Sequence, residues 1–400
     1  MLADMGGNGM FQKKGLEDIP VKGKKVLVRV DFNVPLEEGK VADDTRIRAA
    51  LPTIEYLIEH QARVILTSHL GRPGGEKDQS LSLQPVAERL SDLLGKEVEF
   101  VPDCLGPKPE AAADNLAPGG IILLENTRFH AGEKANHREM AEELASLAEV
   151  FVNDAFGTAH RSHASNVGVA AYLPSCAGYL LEKEIRYLGE SIADPERPFA
   201  AILGGAKVSG KIKVIKNLLT KADTVLIGGG MANTFFKAQG LQMADSLVEE
   251  DAVDTAKTLL NEAGEKLVLP KDVVIANDFS PQAQRGEMDL GDIPEGWRVM
   301  DIGQKTLEKY RQILKDSKTI VWNGPMGVFE FSRFAEGTFQ LAKMIASSQA
   351  VSIIGGGDSA AAIEKAGLTE DITHVSTGGG ASLAMLTGEE LPGLAALDDK

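Results

Sequence analysis

The chain has 400 residues, of which 43% are hydrophobic and 25% charged, with a formal net charge of −16 at pH 7. This composition is ordinary for a globular protein of two or three domains, and the acidic balance argues against broad binding to nucleic acid or membrane surfaces. No apolar run approaches transmembrane length, and two cysteines make no disulfide framework. We therefore expect a cytoplasmic protein whose anion sites, if any, are local basic clusters.

Apolar runs rich in valine and isoleucine alternate with amphipathic patterns along the chain. Near-continuous hydrophobicity is typical of parallel strands covered on both faces, so the pattern predicts repeated βαβ units. The predicted fold class is α/β, with two Rossmann-like, doubly wound domains whose sheets are mainly parallel. Helices are predicted at Arg46–His60, Glu133–Ala148 and Thr306–Lys315. The predicted strands are Lys25–Val30, Arg63–Ser68, Ile121–Leu124, Val150–Val152, Phe199–Leu203, Thr224–Ile227, Val273–Ala276, Thr319–Val321, Val351–Ile354 and His374–Ser376.

Polar and basic motifs follow the predicted strands in the first half of the chain. They are Asp31–Asn33, Ser68–Arg72, Glu125–Phe129 and Asn153–His163. Ligands of open α/β sheets lie beyond the carboxyl ends of the strands, and the arginine fork suits phosphate and carboxylate. A single arginine is more often a surface ion-pair partner, but four at one predicted edge favour an acid-binding surface. This set is Arg46, Arg72, Arg128 and Arg161, joined by Asp31 and Asn33 as possible acceptors and by His69, His160 and His163.

Glycine clusters replace these motifs in the second half of the chain. The first, Gly204–Gly205, stands between an apolar strand and a lysine-rich segment that is predicted to be a helix. A helix N-terminus is a ready anion site. Gly205 to Lys211 matches most of a P-loop, but Ile212 stands where a P-loop has Ser or Thr. If this segment binds a nucleotide phosphate, the metal ligand has to come from elsewhere.

Asp358 is the candidate for that ligand. It follows Gly355–Gly357 at the start of an alanine-rich pattern, where a carboxylate would repel a phosphate unless a cation such as Mg²⁺ bridged them. The alternative is an ordinary helix N-cap. The same glycines fit a dinucleotide fingerprint, but the next strand ends in Thr377 and lacks the acid that a ribose needs. On the same glycine-walled edge, Glu330 could reach a ribose.

Two other functions stay open on the residues alone. A nicotinamide-dependent oxidoreductase would use the fingerprint but needs the missing acid. A non-catalytic, two-domain anion-binding protein would explain the arginines, but it would not explain Lys207 and Asp358.

Taken together, these motifs closely resemble those of the phosphoglycerate kinase family, over nearly the whole chain from about Leu16. In the first half they are VLVRVDFNVP at 26–35, TSHLGRP at 67–73, LLENTRF at 123–129 and FVNDAFGTAHRSHAS at 151–165. In the second half they are LGGAKVSGK at 203–211, IGGGMANTF at 227–235, VWNGPMGVFEF at 321–331, IIGGGDSAA at 353–361 and STGGGASL at 376–383.

The resemblance implies a monomeric kinase that passes a phosphoryl group between 1,3-bisphosphoglycerate and ADP, or between ATP and 3-phosphoglycerate, with Mg²⁺. The implied catalytic residues are Arg46, Lys207 and Gly356, with Lys207 against the transferring phosphoryl group, and the implied metal ligand is Asp358. The implied phosphoglycerate-binding residues are Asp31, Phe32, Asn33, Arg46, His69, Leu70, Gly71, Arg72, Arg128 and Arg161. The implied nucleotide-binding residues are Gly205, Lys211, Gly229, Asn323, Glu330, Gly356, Gly357, Asp358 and Ser359.

The predicted domain boundaries combine the resemblance with a helical pattern at Tyr179–Ile192. Residues 1–180 form the phosphoglycerate-binding domain, of which 1–10 are expected to be a flexible extension. Residues 181–197 form a hinge helix and linker, and 198–386 form the nucleotide-binding domain. The resemblance implies that the tail, 387–400, returns to the first domain.

Overall fold

A computed structural model describes residues 13–400. The chain divides into two compact units, one that runs to Arg186 and includes Glu390–Lys400, and one that spans Tyr187–Glu389. The division falls inside the predicted hinge segment, and the chain rejoins the first unit three residues after the predicted start of the tail. The predicted extension, 1–10, lies outside the described residues. No helix in the described part of the chain is long and apolar enough to cross a membrane.

The first unit contains a sheet that is buried on both faces. Strand β1 is buried from Val26 to Val30, and its three valines belong to one apolar core with residues of the helices such as Ile47 and Ile54. The strands are β1 Lys25–Val30, β2 Leu36–Glu37, β3 Lys40–Val41, β4 Arg63–Thr67, β5 Glu99–Val101, β6 Ile121–Leu124, β7 Val150–Asp154 and β8 Ser175–Ala177. The parallel order is β5-β6-β4-β1-β7-β8, and β2 pairs antiparallel with β3. The helices are α1 Thr45–Glu59, α2 Gln84–Leu94, α3 Pro107–Asn115, α4 Gly132–Ala135, α5 Arg138–Ser146 and α6 Tyr179–Glu184.

The second unit contains another parallel sheet and a smaller antiparallel one. Its strands are β9 Phe199–Leu203, β10 Thr224–Ile227, β11 Leu267–Val268, β12 Asp272–Ala276, β13 Arg285–Asp289, β14 Arg298–Ile302, β15 Thr319–Asn323, β16 Val351–Gly355 and β17 His374–Val375. The parallel order is β11-β10-β9-β15-β16-β17, and β13-β12-β14 is antiparallel. The helices are α7 Ser191–Ala193, α8 Ile212–Lys221, α9 Gly230–Ala238, α10 Val253–Ala263, α11 Gln304–Asp316, α12 Glu336–Ala346, α13 Gly357–Lys365 and α14 Gly379–Thr387. Helix α15, Pro392–Ala395, lies in the tail that joins the first unit.

The predicted α/β class with mainly parallel sheets is confirmed, but two elements differ from the prediction. The strand predicted at Val273–Ala276 lies in the antiparallel sheet, because it pairs with β13 and β14. Strand β13 is charged and largely exposed, so it carries no apolar run. The helix predicted at Glu133–Ala148 is two helices, since Asn136 adopts a left-handed conformation with φ 51° and ends α4.

A buried polar network ties β1 to α4. Arg29 is fully buried, and its Nε donates to Ser165 Oγ at 2.8 Å. The Ser165 hydroxyl donates to Glu133 Oε1 at 2.7 Å, and the Ser165 N–H donates to Glu133 Oε2 at 3.0 Å. Burial alone would raise the pKa of Glu133, but His163, Arg29 and these Ser165 bonds outweigh it and hold the pKa at about 2. Glu133 therefore supplies a permanent negative charge beside a buried guanidinium.

We expect Glu133→Gln to lower the free energy of unfolding by about 3–5 kcal/mol, because it leaves the charge of Arg29 buried without its counter-ion. Urea unfolding of the full chain at pH 7 measures this loss. Glu142→Gln is the matched control, since Glu142 pairs at 2.8 Å with Arg138, whose side chain is 77% exposed. The control should change stability by no more than about 0.5 kcal/mol. Equal unfolding midpoints for the two variants would contradict the role given to Glu133.

Candidate functional site

The loops after β1, β4 and β6 are tied to one another at the carboxyl edge of the first sheet. Gly71 N donates to Asn33 Oδ1 at 2.8 Å, and Arg128 Nη1 donates to Gly71 O at 2.7 Å. Arg46 Nη1 lies 3.2 Å from Asp31 Oδ2 and donates to Asn33 O at 3.1 Å. The parallel topology brings these loops together because successive strands end at the same edge. Five of the predicted binding residues therefore form one bonded cluster.

Arg128 carries donors that nothing in its own unit satisfies. It is only 3% exposed, and its Nε and Nη2 atoms are buried without a hydrogen-bond partner among residues 13–400. Burial, followed by repulsion from Arg161 and Arg29, lowers its pKa to about 10. A buried donor without an acceptor is costly, and so is crowded positive charge. An anion that accepts from Arg128 would relieve both costs.

His69 belongs to the same cluster as a neutral imidazole. Arg29 Nη2 lies 3.1 Å from His69 Nδ1, and a guanidinium can only donate, so Nδ1 is the acceptor. Burial and the surrounding arginines, Arg29 first, lower the pKa of His69 well below its usual range. The 3.8 Å contact from Nδ1 to Asp31 is consequently not an ion pair. The single N–H proton of the neutral imidazole is therefore on Nε2, so His69 can donate one hydrogen bond from that atom.

The other predicted residues of this half lie at different depths. The side chains of Phe32 and Leu70 are buried in the apolar core, so only their backbone can take part in binding. Arg72 is exposed. Arg161 is half-buried, with its Nε 3.1 Å from His160 Nε2. Its electrostatic influence on Arg128 places it within the charged cluster.

Arg29 was absent from the predicted site residues because it lies inside the strand Lys25–Val30 and is fully buried there. The available signal was a single arginine, Arg29, in the otherwise apolar run VLVRV at 26–30. A charge at such a position needs partners, and its partners here are His69 and the network of Glu133.

In the second unit, backbone packs directly on backbone at the carboxyl edge of the sheet. Gly204 N donates to Asn323 O at 3.0 Å, Gly205 N to Pro325 O at 2.9 Å, and Gly229 N to Met326 O at 2.9 Å. A Cβ added at Gly204 would lie 2.1 Å from Pro325 O, so no other residue fits this approach. Gly205 and Gly229 also have φ values of +95° and +66°, which side chains disfavour.

The prediction that a helix follows Gly204–Gly205 directly is wrong. Helix α8 begins only at Ile212, after a loop and a short 3₁₀ turn at Ser209–Lys211. The N–H groups of both glycines already donate to the neighbouring loop, so they are not the free helix-start donors that the prediction assumed. Helices α9 and α13 do begin immediately after Gly229 and Gly356, without a side-chain cap. At α9, however, the Met231 and Ala232 N–H groups already donate to Gly205 O and Gly229 O. The start of α13 is therefore the better source of a local positive field.

Asp358 lies in the first turn of α13, where Gly356 is the N-cap. The alternative that Asp358 caps this helix is therefore excluded. The side chain of Asp358 is exposed. Its negative charge raises the pKa of Lys211, against the lowering that burial causes, so the carboxylate acts electrostatically on that amine. An exposed carboxylate beside free helix-start amides suits a hard cation with oxygen ligands.

Lys211 and Asn323 are bonded to each other. Lys211 Nζ donates to Asn323 O at 2.9 Å and to Asn323 Oδ1 at 2.5 Å. Burial lowers the pKa of Lys211 to about 8. Ser359 is fully buried, and its hydroxyl accepts from Gly324 N at 2.6 Å, so it braces the loop after β15. Lys207 is exposed in the loop before α8, and Ser209 of that loop donates its N–H to Glu249 at 2.8 Å.

A cavity of about 710 Å³ lies beside these loops, a size typical of small-molecule sites. Gly205, Gly229, Glu330 and Asp358 of the predicted set line it. Its apolar walls were not predicted from the sequence; they include Leu247 and Phe279, whose exposed fractions of 55% and 56% are unusual for such residues. The cavity combines apolar walls, carboxylates that include Glu330 and Asp358, and residues at helix starts, which suits a planar base with an anionic tail.

Known proteins match this chain over nearly its full length. The family model described as phosphoglycerate kinase matches residues 16–389. The phosphoglycerate kinase of Moorella thermoacetica is 57% identical over 391 residues, covering 97% of this chain and all of that protein. That of Chloroflexus aggregans is 56% identical over 398 residues, covering 97% and 100%.

Solved structures agree. Phosphoglycerate kinase from Coxiella burnetii superposes with a TM-score of 0.87 at 42% identity, covering 96% of this chain and 98% of the other. The enzyme from Pyrococcus horikoshii gives a TM-score of 0.86 at 40% identity with the same coverage. With the clustered arginines of one unit and the glycine-walled cavity of the other, these matches show that the chain belongs to the phosphoglycerate kinase family.

Proposed function

We propose that this chain is a glycolytic kinase that catalyses reversible phosphoryl transfer between 1,3-bisphosphoglycerate and ADP, yielding 3-phosphoglycerate and ATP. In the reverse direction, the acceptor is the carboxyl group of 3-phosphoglycerate. The observation that carries the proposal is the segregation of two half-sites. Arg128, with two buried and unsatisfied donors among the clustered arginines, lies in one unit, and a cavity lined by Gly229 and Asp358 at helix starts lies in the other. ATP turnover in the presence of 3-phosphoglycerate tests it. Turnover of a reduced nicotinamide cofactor instead would favour the oxidoreductase.

The first unit binds the phosphoglycerate. Arg128 offers two unused donors, and Arg161 and Arg46 add positive charge around them. Neutral His69 can donate from Nε2 without adding charge. Asp31 and Asn33 present oxygens that can accept from a hydroxyl of the substrate. Together these groups suit a substrate acid that carries both negative charge and hydroxyl groups.

The second unit binds the nucleotide. Leu247 and Phe279 would cover the faces of the base, and Glu330 would accept from ribose hydroxyls. Lys211 and the amides that open α13 would hold phosphate oxygens. Asp358 would hold Mg²⁺, which neutralises phosphate charge when it is bound.

Phosphoryl transfer between these substrates needs positioning and charge stabilisation, because both donors are already activated and no covalent intermediate is required. Lys207 would stabilise the equatorial oxygens of the moving group, together with the backbone at Gly356. We infer that the units close about the segment 181–197 to bring the substrates together and to exclude water. The monomeric state and the cytoplasmic location stay predictions.

We expect Arg128→Ala to weaken 3-phosphoglycerate binding by about 2–5 kcal/mol, because a buried, charge-assisted contact is lost. ADP binding, which belongs to the other unit, should stay within about twofold. Calorimetry with each ligand separately measures both affinities. Arg138→Ala is the control, since Arg138 is exposed in the same unit and pairs with Glu142 on the surface. Equal losses for both ligands would contradict the assignment of one substrate to each unit.

Lys207→Ala should lower kcat by about 10²–10³-fold and leave both KM values within a few-fold, because charge on the transferring group develops mainly in the transition state. The control is Lys213→Ala. Lys213 lies in α8 with its side chain 78% exposed and paired at 2.7 Å with Glu389, so its removal should be nearly silent. Steady-state kinetics that do not separate the two variants would overturn the role of Lys207.

A further inference from the structure

Three side chains of mixed chemistry converge in the first unit, and none of them is among the binding residues assigned above. Asp103 and Cys104 follow β5, and His130 follows the turn after β6. Strands β5 and β6 are parallel neighbours, so both loops lie at the same edge of the sheet. The ligand atoms Asp103 Oδ, Cys104 Sγ and His130 N lie within 4.8 Å of one another. Asp103 Oδ1 and His130 Nε2 are already 2.9 Å apart.

The thiol of Cys104 has no partner of its own. Cys104 is 1% exposed, and no hydrogen bond reaches its Sγ from residues 13–400. Burial and the carboxylates of Asp103, Glu133, Glu125 and Glu143 raise the pKa of Cys104 well above its usual range. A cation bound beside the sulfur would offset the charge of these carboxylates.

The site is open on one side. The side chains of His130 and Asp103 are 33% and 43% exposed, so an ion can enter between them from solvent. In a tetrahedral zinc site with bonds of about 2.0–2.3 Å, neighbouring ligand atoms lie roughly 3.3–3.8 Å apart. Separations of up to 4.8 Å therefore need to shorten by no more than about 1.5 Å. The Asp103–His130 hydrogen bond would open slightly to admit the ion.

We propose that Asp103, Cys104 and His130 form a binding site for a single Zn²⁺ ion, with water as the fourth ligand. The combination of sulfur, imidazole and carboxylate selects zinc over Mg²⁺, which prefers an all-oxygen set. On binding, the Cys104 S–H bond breaks, a sulfur–zinc bond forms, and the proton passes to the buffer. The ion would join the loop after β5 to the loop that carries Arg128, and it should raise the melting temperature of the chain.

Cobalt reports directly on the sulfur ligand, because a thiolate bound to Co²⁺ absorbs in the near ultraviolet whereas oxygen and nitrogen ligands do not. Titrating the full wild-type chain with Co²⁺, in a thiol-free reductant, should produce this band at one ion per chain. Cys104→Ser should abolish the band. Cys176→Ser, the control at the other buried cysteine, should retain it. The proposal fails if wild type shows no band or if the band follows Cys176.

Calorimetry with Zn²⁺ alone gives an independent test that does not depend on replacing a buried residue. The binding heat of wild type should vary with the ionisation enthalpy of the buffer, since a proton is released. His130→Asn, a change at a partly exposed position, should weaken binding by more than about tenfold, because even outer-shell partners of metal ligands contribute 10–100-fold. Unchanged affinity in this variant would overturn the site, as would equal binding of Mg²⁺.

Discussion

Crowded positive charge at the carboxyl edge of the first sheet is the constraint on which the rest of the first unit depends. Burial is the largest cause that lowers the pKa of Arg128, and repulsion from Arg161 and Arg29 lowers it further. Glu133 and Asp31 offset only part of this repulsion. A chain with a net charge of −16 thus concentrates cations where its strands end. Glu133 keeps this arrangement folded, and the unsatisfied donors of Arg128 keep it ready for an anion.

In the proposed function, the second unit binds a phosphate with backbone groups where the first unit uses arginines. Close contact between the loops after β9, β10 and β15 requires glycine, as the overlap of a Cβ at Gly204 with Pro325 O shows. This packing uses an N–H group at the start of α9, since Met231 N donates to Gly205 O. It leaves the start of α13 without a side-chain cap, and Asp358 lies in that first turn. The two units therefore offer anions different chemistry. The first has a charged, buried cluster, and the second has a helix start, the Lys211–Asn323 pair and an apolar wall. That difference is the physical basis for assigning a different substrate to each.

Much of the parallel architecture could be predicted, because buried parallel strands such as Lys25–Val30 and Phe199–Leu203 are continuous apolar runs. Strand β13 could not, since its pairing with β12 depends on backbone contacts and its side chains are mostly charged. The clustered Arg46 and Arg128 follow strand ends and were predicted, whereas Arg29 is hidden inside a strand. The cavity walls at Leu247 and Phe279 come from separate loops, and no local pattern links them. The late start of α8 depends on hydrogen bonds that Gly204 and Gly205 make to a distant loop.

Amide hydrogen exchange on the full chain, with one ligand at a time, tests the central claim that each unit binds one substrate. With 3-phosphoglycerate alone, the account predicts new protection in the first unit, at residues 31–33, 69–72 and 126–129. With ADP alone, protection should appear in the second unit, at residues 204–211, 228–231 and 355–359. Protection by 3-phosphoglycerate that is confined to the glycine loops of the second unit would contradict the account.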